Sequence, residues 1–189
     1  MIFEATPVLG ALLVRIEPRK DERGFFARLW CREEFAAQGI DVQMVQASVS
    51  HNGVAGTVRG LHYSASPSRE GKLVRCERGR IIDVIVDLRP GSPTYLRHFA
   101  IELSDQGREA LYIPPQVAHG FQTLQDDTDV HYMMSDFYRP DLARGVRFDD
   151  PAFGIEWPLP VSTIAARDRQ YSDFDPAVHA AKPESGTAG

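Results

Sequence analysis

Three short segments of the sequence hold the side chains best suited to proton transfer. The segment RGLHY contains His62 and is followed ten residues later by Lys72, the segment IPPQVAHGF contains His119, and the segment HYMMSDFY contains Tyr132 and Tyr138. An imidazole can accept or donate a proton near neutral pH, and a phenol can donate one. Taken singly, a histidine in a strand is more often structural, and a tyrosine more often packs against apolar neighbours. No segment identifies a function by itself.

A metal centre is an alternative that these histidines leave open. His62 and His119 could supply two ligands and Glu70 a third, which is the two-histidine, one-carboxylate set of iron-dependent oxygenases. No second histidine follows His62 closely, and Cys31 and Cys76 are too few and too far apart for a zinc site or a disulfide framework. We therefore expect no metal and no other cofactor, and two reduced thiols of the kind found in cytosolic proteins.

The composition is that of an ordinary globular chain with a modest acidic excess. Of its 189 residues 43% are hydrophobic and 25% are charged, and 21 basic against 26 acidic side chains leave a net charge of -5. This balance argues against a broad nucleic-acid surface, although a local basic pocket could hold a phosphate. The N-terminus lacks the basic start of a secretory signal, and the apolar stretch 8–14 is far shorter than the ~20 residues that span a bilayer. We expect a cytoplasmic protein with neither a nucleic-acid nor a membrane partner.

Strands must position the reactive side chains, because alternating apolar residues dominate the pattern. The clearest run is 80–88, where Val84 alternates with Asp83 and Ile85 before a turn rich in proline and glycine. Many short strands near ten residues apart, with no Rossmann fingerprint and no P-loop, predict an all-β sandwich or barrel. Further strands are predicted over 11–17, 57–63, 72–76, 99–103, 118–124 and 130–137.

Helix is scarce, and the end of the chain is polar. Short helices are predicted over 32–38, ending before Gly39, and near 162–167. From residue 175 the chain reads DPAVHAAKPESGTAG, which is rich in small and polar residues. We therefore expect one domain over 1–174 and a flexible tail over 175–189.

Together the motifs are far more specific than any one of them. In order along the chain, DERGFF, VRGLHY, GKLVRCERG, DVIVDLRPGSPTY, IPPQVAHGF and DDPAFGIEWPL resemble the dTDP-4-dehydrorhamnose 3,5-epimerase family from about residue 3 to 174. The resemblance implies a cupin-type jelly-roll barrel with short flanking helices that acts on a nucleotide-linked 4-keto-6-deoxy sugar without metal or redox cofactor. It also implies a homodimer in which N-terminal strands cross to the partner, so that Arg23 could enter the neighbouring pocket.

The resemblance assigns roles that agree with the chemistry of such a sugar. A ketone at C4 acidifies the protons on C3 and C5, so an epimerase needs a base on one face of the ring and an acid on the other. His62 matches the family's base, Asp168 the carboxylate that orients it, and Lys72 the cation near the enolate oxygen. Tyr132 matches the proton donor and Tyr138 the ring that stacks on the nucleotide base. Further substrate-binding positions by resemblance are Arg23, Phe26, Arg28, Gln46, Ser48, Arg59, His119 and Arg167.

Four positions depart from the family pattern. Arg28 and Ala143 stand where a glutamate is common, Ser48 replaces an asparagine, and Ser64 replaces a glutamine. These departures leave open a C3-only epimerase or an enzyme for another nucleotide sugar. A non-catalytic sugar-nucleotide-binding cupin is a further alternative, although binding alone does not require both an acid and a base.

The RGLHY segment also makes a structural prediction. A strict two-residue period would place Arg59 and His62 on opposite faces of a strand. If both serve one pocket, Gly60 must mark a bulge or a sharp twist.

Overall fold

The structure, a computed structural model, describes residues 1–179, and in this range the chain forms fourteen short strands and three short helices. The strands are β1 (Ile2–Ala5), β2 (Leu12–Arg15), β3 (Arg19–Asp21), β4 (Gly24–Phe26), β5 (Gln46–Asn52), β6 (Thr57–Ser64), β7 (Lys72–Arg78), β8 (Arg80–Asp87), β9 (His98–Ser104), β10 (Ala110–Ile113), β11 (Val117–Thr123), β12 (Thr128–Met134), β13 (Ala143–Gly145) and β14 (Thr163–Ile164). The helices are α1 (Arg32–Ala36), α2 (Ala166–Arg169) and α3 (Pro176–His179). None of these helices has the length and hydropathy needed to cross a bilayer.

The strands assemble into two sheets that face each other across one core. One sheet has the order β1-β2-β10-β7-β12-β5 and the other β13-β6-β11-β8-β9, with β14 running parallel to β6, while β3 and β4 form a separate hairpin. The core contains Val74 and Val130 from the first sheet and Ile85 and Phe121 from the second. This is the double-sheet arrangement of a jelly roll, so the all-β prediction is confirmed.

Both sheets are also covered on their outer faces, which explains why β8 is almost continuously buried. Ile81 and Ile85 enter the core between the sheets, whereas Val84 and Val86 pack beneath the C-terminal segment that includes Phe153. On the other sheet, α1 and the chain around it cover the outer face. Alternate residues of β8 therefore point into two different buried layers, and neither face of this strand is exposed to solvent.

The helices agree only in part with the sequence predictions. The first, α1, lies within the predicted range 32–38, and the chain turns at Gly39, whose φ of +79° favours glycine. The prediction of a helix over 162–167 is wrong in its first half, because Thr163 and Ile164 form β14 beside β6 and α2 begins only at Ala166. The two β-branched residues favour the extended conformation at this position.

Residues 175–179 pack against the barrel, unlike the flexible tail expected from residue 175. They include α3, His179 is buried, and the Tyr63 hydroxyl donates to the His179 carbonyl oxygen at 3.1 Å. A buried phenol needs an acceptor, so this contact joins α3 to β6. The rest of the predicted tail, 180–189, lies outside the described residues.

The predicted irregularity at Gly60 is confirmed. His119 of β11 pairs with His62 and Phe121 pairs with Arg59, so that two residues of β6 oppose one residue of β11. This two-against-one count is a β-bulge, and the φ of +121° at Gly60 is one that favours glycine. The bulge reverses the alternation of β6 between Arg59 and His62.

A buried carboxylate organises the turn that follows β8. Asp87 is fully buried and accepts hydrogen bonds from the side chains of Arg89 at 2.8 Å, Ser92 at 2.5 Å and Thr94 at 2.6 Å. Burial alone would raise the pKa of Asp87, but these hydrogen bonds together hold its pKa below the usual range. Because the pKa is lower in the folded chain, the ionised carboxylate stabilises the fold above the ordinary pKa of about 4. That stabilisation is lost as the pH falls through the lower, folded value.

Asp87→Ala should lower the free energy of unfolding by about 3–5 kcal/mol at neutral pH, because Arg89 then loses a buried partner. Urea unfolding measures the change. As a control, Asp41→Ala removes an exposed carboxylate that pairs with Arg32 and should cost less than about 1 kcal/mol. The deficit of Asp87→Ala should shrink below about pH 4, and a deficit that is constant across this range would contradict the assignment.

Candidate active site

A cavity of about 490 Å³ is enclosed by β5, β6, β7, β12, β13 and α2. His62, Lys72 and Tyr132, which the sequence predicted to handle protons and charge, all line this cavity. The fold therefore brings together side chains from three strands of both sheets. The other lining residues are Ser48, Tyr63, Ser64, Glu70, Met134, Tyr138, Pro140, Ala143, Arg144, Arg167 and Tyr171.

His62 and Asp168 form a hydrogen-bonded pair beside the cavity. His62 Nε2 lies 2.8 Å from Asp168 Oδ1, and the Gly60 backbone N–H donates to Asp168 Oδ2 at 3.1 Å. Burial alone would raise the pKa of Asp168, but the hydrogen bonds from His62, Gly60 and Arg167 hold it below the usual range. An ionised carboxylate can only accept, so an imidazole that is neutral here carries its proton on Nε2 and has the lone pair of a base on Nδ1. An Arg167 guanidinium nitrogen also lies 3.4 Å from Nε2.

Lys72 supplies a cation that the surrounding residues hold in place. It is the first residue of β7, and its ammonium group forms an ion pair with the carboxylate of Glu70. The Ser64 hydroxyl also donates to this carboxylate, at 3.3 Å. All three side chains line the cavity, so an anion that develops there can be stabilised by a fixed ammonium group.

Tyr132 lies against a second histidine–aspartate pair. Its ring stands edge-on to the His119 ring at 5.8 Å between centroids, and His119 Nε2 lies 2.7 Å from Asp83 Oδ1. Burial, reinforced by the charge of Asp83, raises the pKa of Tyr132 well above its ordinary value, although Arg59 acts in the opposite direction. Tyr132 is therefore a neutral phenol at neutral pH and can serve as a proton donor.

The predicted nucleotide-binding residues are only partly brought together. Ser48, Tyr138 and Arg167 line the cavity, and Gln46 accepts a hydrogen bond from the Tyr138 backbone N–H at 2.7 Å. Arg59 does not line it, since its guanidinium donates instead to the Asn52 side chain and the His51 carbonyl oxygen. His119 lies behind Tyr132 and is buried. Ser48, Tyr138 and Arg167 thus contribute surface to the cavity directly. Gln46, Arg59 and His119 lie around it.

Arg23, Phe26 and Arg28 lie away from this cavity in the same chain. Arg23 is on the β3–β4 hairpin and pairs with Asp21, and Phe26 at its end is 76% exposed. Arg28 pairs with Glu34 at 2.8 Å, and Phe26 and Arg28 line a separate cavity of about 380 Å³. These three residues can thus bind substrate only at a cavity other than the 490 Å³ cavity of their own chain.

The ligand set of the metal alternative is not assembled. Among residues 1–179, no three histidine, cysteine, aspartate or glutamate side chains come together as a candidate metal site. His62 is bound to Asp168, His119 to Asp83, and Glu70 to Lys72. The two cysteines of the chain are unpaired.

Sequence reasoning missed several cavity residues. Tyr171, Arg144, Met134 and Pro140 all line the cavity and were not predicted to do so. Tyr171 follows Asp168 by three residues, so a helical turn at this position would have placed the two side chains on one side. Nothing in the sequence marks the other three residues, because they reach the cavity through strand pairing and a loop.

Comparison with known proteins identifies the family. The sequence profile of the family described as dTDP-4-dehydrorhamnose 3,5-epimerase matches residues 5–175. The dTDP-4-dehydrorhamnose 3,5-epimerase of Sinorhizobium fredii is 42% identical over 160 residues, covering 84% of this chain and 81% of that protein. The dTDP-4-dehydrorhamnose 3-epimerase of Streptomyces niveus is 38% identical over 169 residues, covering 89% of this chain and 77% of that protein.

A solved structure gives the same result. The dTDP-6-deoxy-D-glucose-3,5-epimerase of Legionella pneumophila, in complex with dTDP-4-keto-L-rhamnose, superposes with a TM-score of 0.87 at 29% identity. The match covers 96% of this chain and 98% of that one. With a profile match over most of its length, and with this fold, the chain belongs to the dTDP-4-dehydrorhamnose 3,5-epimerase family and is an isomerase built on a cupin-type jelly roll.

Proposed function

We propose that this chain epimerises C3 and C5 of a dTDP-linked 4-keto-6-deoxy hexose, in the synthesis of a deoxysugar of the dTDP-L-rhamnose type. The observation that carries the proposal is that His62 and Tyr132, a base and a neutral acid, line one cavity. A base and an acid in one cavity serve proton transfer, whereas a binding module needs neither. The epimerase domain of this proposal spans residues 1–174.

In the proposed reaction, His62 Nδ1 removes the proton from C3. The electron pair of the broken C–H bond is delocalised onto the C4 oxygen, and the Lys72 ammonium group stabilises the resulting enolate. Tyr132 then donates its phenolic proton to C3 from the opposite face of the ring. The phenolate recovers a proton from solvent, and the His62 imidazolium releases to solvent the proton that it took from C3. The same ketone acidifies C5, so the same residues can repeat the transfer there.

The nucleotide end of the substrate would lie towards Tyr138 and Arg167. Tyr138 is an exposed ring on the wall of the cavity, which suits stacking on a base. Arg167 is also largely exposed, and its guanidinium can pair with diphosphate oxygens at two points. The Legionella relative was solved with dTDP-4-keto-L-rhamnose, which supports a thymidine nucleotide as the carrier.

We also propose that the protein is a cytoplasmic homodimer with exchanged N-terminal segments. The β3–β4 hairpin is a separate two-stranded sheet whose residues are all exposed, and the Arg108 guanidinium lies over the Phe25 ring at 5.0 Å. An exchange would bring Arg23, Phe26 and Arg28 into the partner's cavity, and it would cover a free edge of the sheet such as β5. The substrate is a soluble nucleotide sugar, and the unpaired thiols suit the cytoplasm. No nucleic-acid or membrane partner belongs to this proposal.

Deuterium exchange tests the function. In heavy water, the wild type should incorporate deuterium at C3 and C5 of the dTDP-linked 4-keto-6-deoxy hexose, detected by NMR or mass spectrometry. A chain that binds the nucleotide sugar, measured by calorimetry, but exchanges no deuterium would be a binding module rather than an enzyme.

A C3-only epimerase is the second candidate function. It is favoured by the similarity to the Streptomyces niveus 3-epimerase and by two of the departures from the family pattern. Ser64 and Ala143 face each other in the β6–β13 register, and both line the cavity, so this wall is shaped by small side chains. Deuterium at C3 without deuterium at C5 would select this function, and the same assay with other nucleotide sugars tests the carrier.

A further inference from the structure

Tyr171 contacts the proposed base but has no part in the reaction described above. It follows α2, lines the cavity, and places its ring edge-on to the His62 ring, 6.3 Å away between centroids and inclined by 75°. Burial raises the pKa of Tyr171, so its phenol is neutral at neutral pH.

The position of the Tyr171 ring depends on a glycine. Gly145 of β13 pairs directly with His62 of β6. A Cβ added at Gly145 would lie 2.2 Å from both Cε2 and Cζ of Tyr171, so the ring occupies space that any larger residue would fill. The backbone at Gly145 is outside the left-handed region, so it is the Tyr171 side chain, and not the local backbone conformation, that opposes a larger residue there.

One short stretch of chain therefore contacts His62 from two directions. Asp168 holds Nε2 through a hydrogen bond at 2.8 Å, and Tyr171, three residues later, packs against the ring. The hydrogen bond to Asp168 and the 3.4 Å contact with Arg167 both act at one atom of the ring, Nε2. They restrain the imidazole only weakly, because rotation about its Cβ–Cγ bond is broad. A packed neighbouring ring limits that rotation.

We propose that Tyr171 is a positioning residue for His62, holding the imidazole in the orientation in which Nε2 binds Asp168 and Nδ1 faces the sugar. The inference deepens the proposed function, since it rests on His62 as the base. The ring of Tyr171 performs this role, and its hydroxyl does not.

Kinetics of the variants test the proposal. Tyr171→Ala should lower kcat for exchange at C3 by about 10-fold to 100-fold, because small misplacements of a base have effects of this size, while KM changes less than about twofold. Tyr171→Phe keeps the ring and should retain the wild-type kcat. A kcat that does not fall in Tyr171→Ala, a loss confined to KM, or a Tyr171→Phe variant as slow as Tyr171→Ala would overturn the proposal.

Gly145→Ala provides an independent perturbation. The added methyl should displace the Tyr171 ring, so this variant should lose kcat as Tyr171→Ala does. In the double variant the clash disappears, and the loss should be no greater than in Tyr171→Ala alone. Losses that multiply in the double variant would show that Gly145 acts independently of Tyr171 and would contradict the proposed packing.

NMR of the His62 ring separates this inference from the proposed function. The ring current of Tyr171 should shift the His62 carbon-bound ring protons in the wild type and in Tyr171→Phe, and the shift should be lost in Tyr171→Ala. If the wild type exchanges no deuterium, the proposed function fails, whereas the shift still reports the orientation of His62. Identical His62 shifts in all three proteins would overturn the inference even if the enzyme is active.

Discussion

Replacing His62 with alanine should slow deuterium exchange at C3 and C5 together, by about 100-fold or more, because the variant lacks the general base. The two rates should fall in parallel if one imidazole serves both carbons. His51→Ala is a suitable control, since His51 is an exposed histidine of β5 that pairs with Asp129 of β12 and does not line the cavity. A His62→Ala variant that exchanges as fast as the wild type would assign the base to another residue.

Asp168→Asn should act through the same imidazole. An asparagine preserves the shape of the side chain but can donate as well as accept, so it no longer fixes the proton on His62 Nε2. The double variant Asp168→Asn/His62→Ala should therefore exchange deuterium no more slowly than His62→Ala alone. Since hydrogen bonds hold the pKa of Asp168 low, its carboxylate remains ionised above about pH 5, and a loss of activity on mild acidification must arise from another group.

Tyr132→Phe should separate proton removal from proton delivery. The ring remains while the acidic hydroxyl is lost, so epimer formation should fall by about 100-fold or more, whereas the initial exchange at C3 falls less. Exchange without inversion arises when His62 removes a proton and the enolate recovers a deuteron from the same face. The measurement is the ratio of deuterium incorporation to epimer formed, followed in one NMR time course.

Tyr112→Phe is a matched control for this experiment. Tyr112 is a buried tyrosine of β10, burial raises its pKa to about 12, and it does not line the cavity. Loss of the Tyr112 hydroxyl should leave the ratio of deuterium incorporation to epimer formed unchanged. A Tyr132→Phe variant that loses exchange and epimer formation equally would place Tyr132 in both steps rather than in delivery alone.

The sequence predicted the strands better than it predicted the site. The alternation around Val84 identifies β8 because its side chains enter two distinct buried layers. The bulge at Gly60 was predicted on the condition that Arg59 and His62 serve one pocket. The bulge is present, although Arg59 itself does not line the cavity. By contrast, β14 was mistaken for helix, since pairing of Thr163 with Thr57 is a long-range contact that no local pattern reveals.

Roles in the site depend on contacts between distant segments, and these set the limit of sequence reasoning. His62 and Asp168 were paired by resemblance to the family, and their hydrogen bond spans a separation of 106 residues. Tyr171 was missed because its importance comes from Gly145, which offers no chemical group of its own. The resemblance led to the expectation that Arg23 enters a neighbouring pocket. No such expectation was made for Phe26 and Arg28, which also lie outside the cavity of their own chain.

The bulge in β6 has a consequence for mutational tolerance. A Cβ at Gly60 would lie 2.6 Å from the Gly120 Cα, and a Cβ at Gly120 would lie 2.6 Å from the Arg59 carbonyl oxygen. The neighbouring antiparallel strands β6 and β11 thus approach each other at a point where neither backbone has room for a methyl group. In a library that randomises this motif, selection would remove every change at Gly60 or Gly120 because the barrel cannot close. A loss of activity on substituting Gly60 or Gly120 could therefore be misread as a catalytic role for these residues. Its cause would be the short distance between the main chains of β6 and β11.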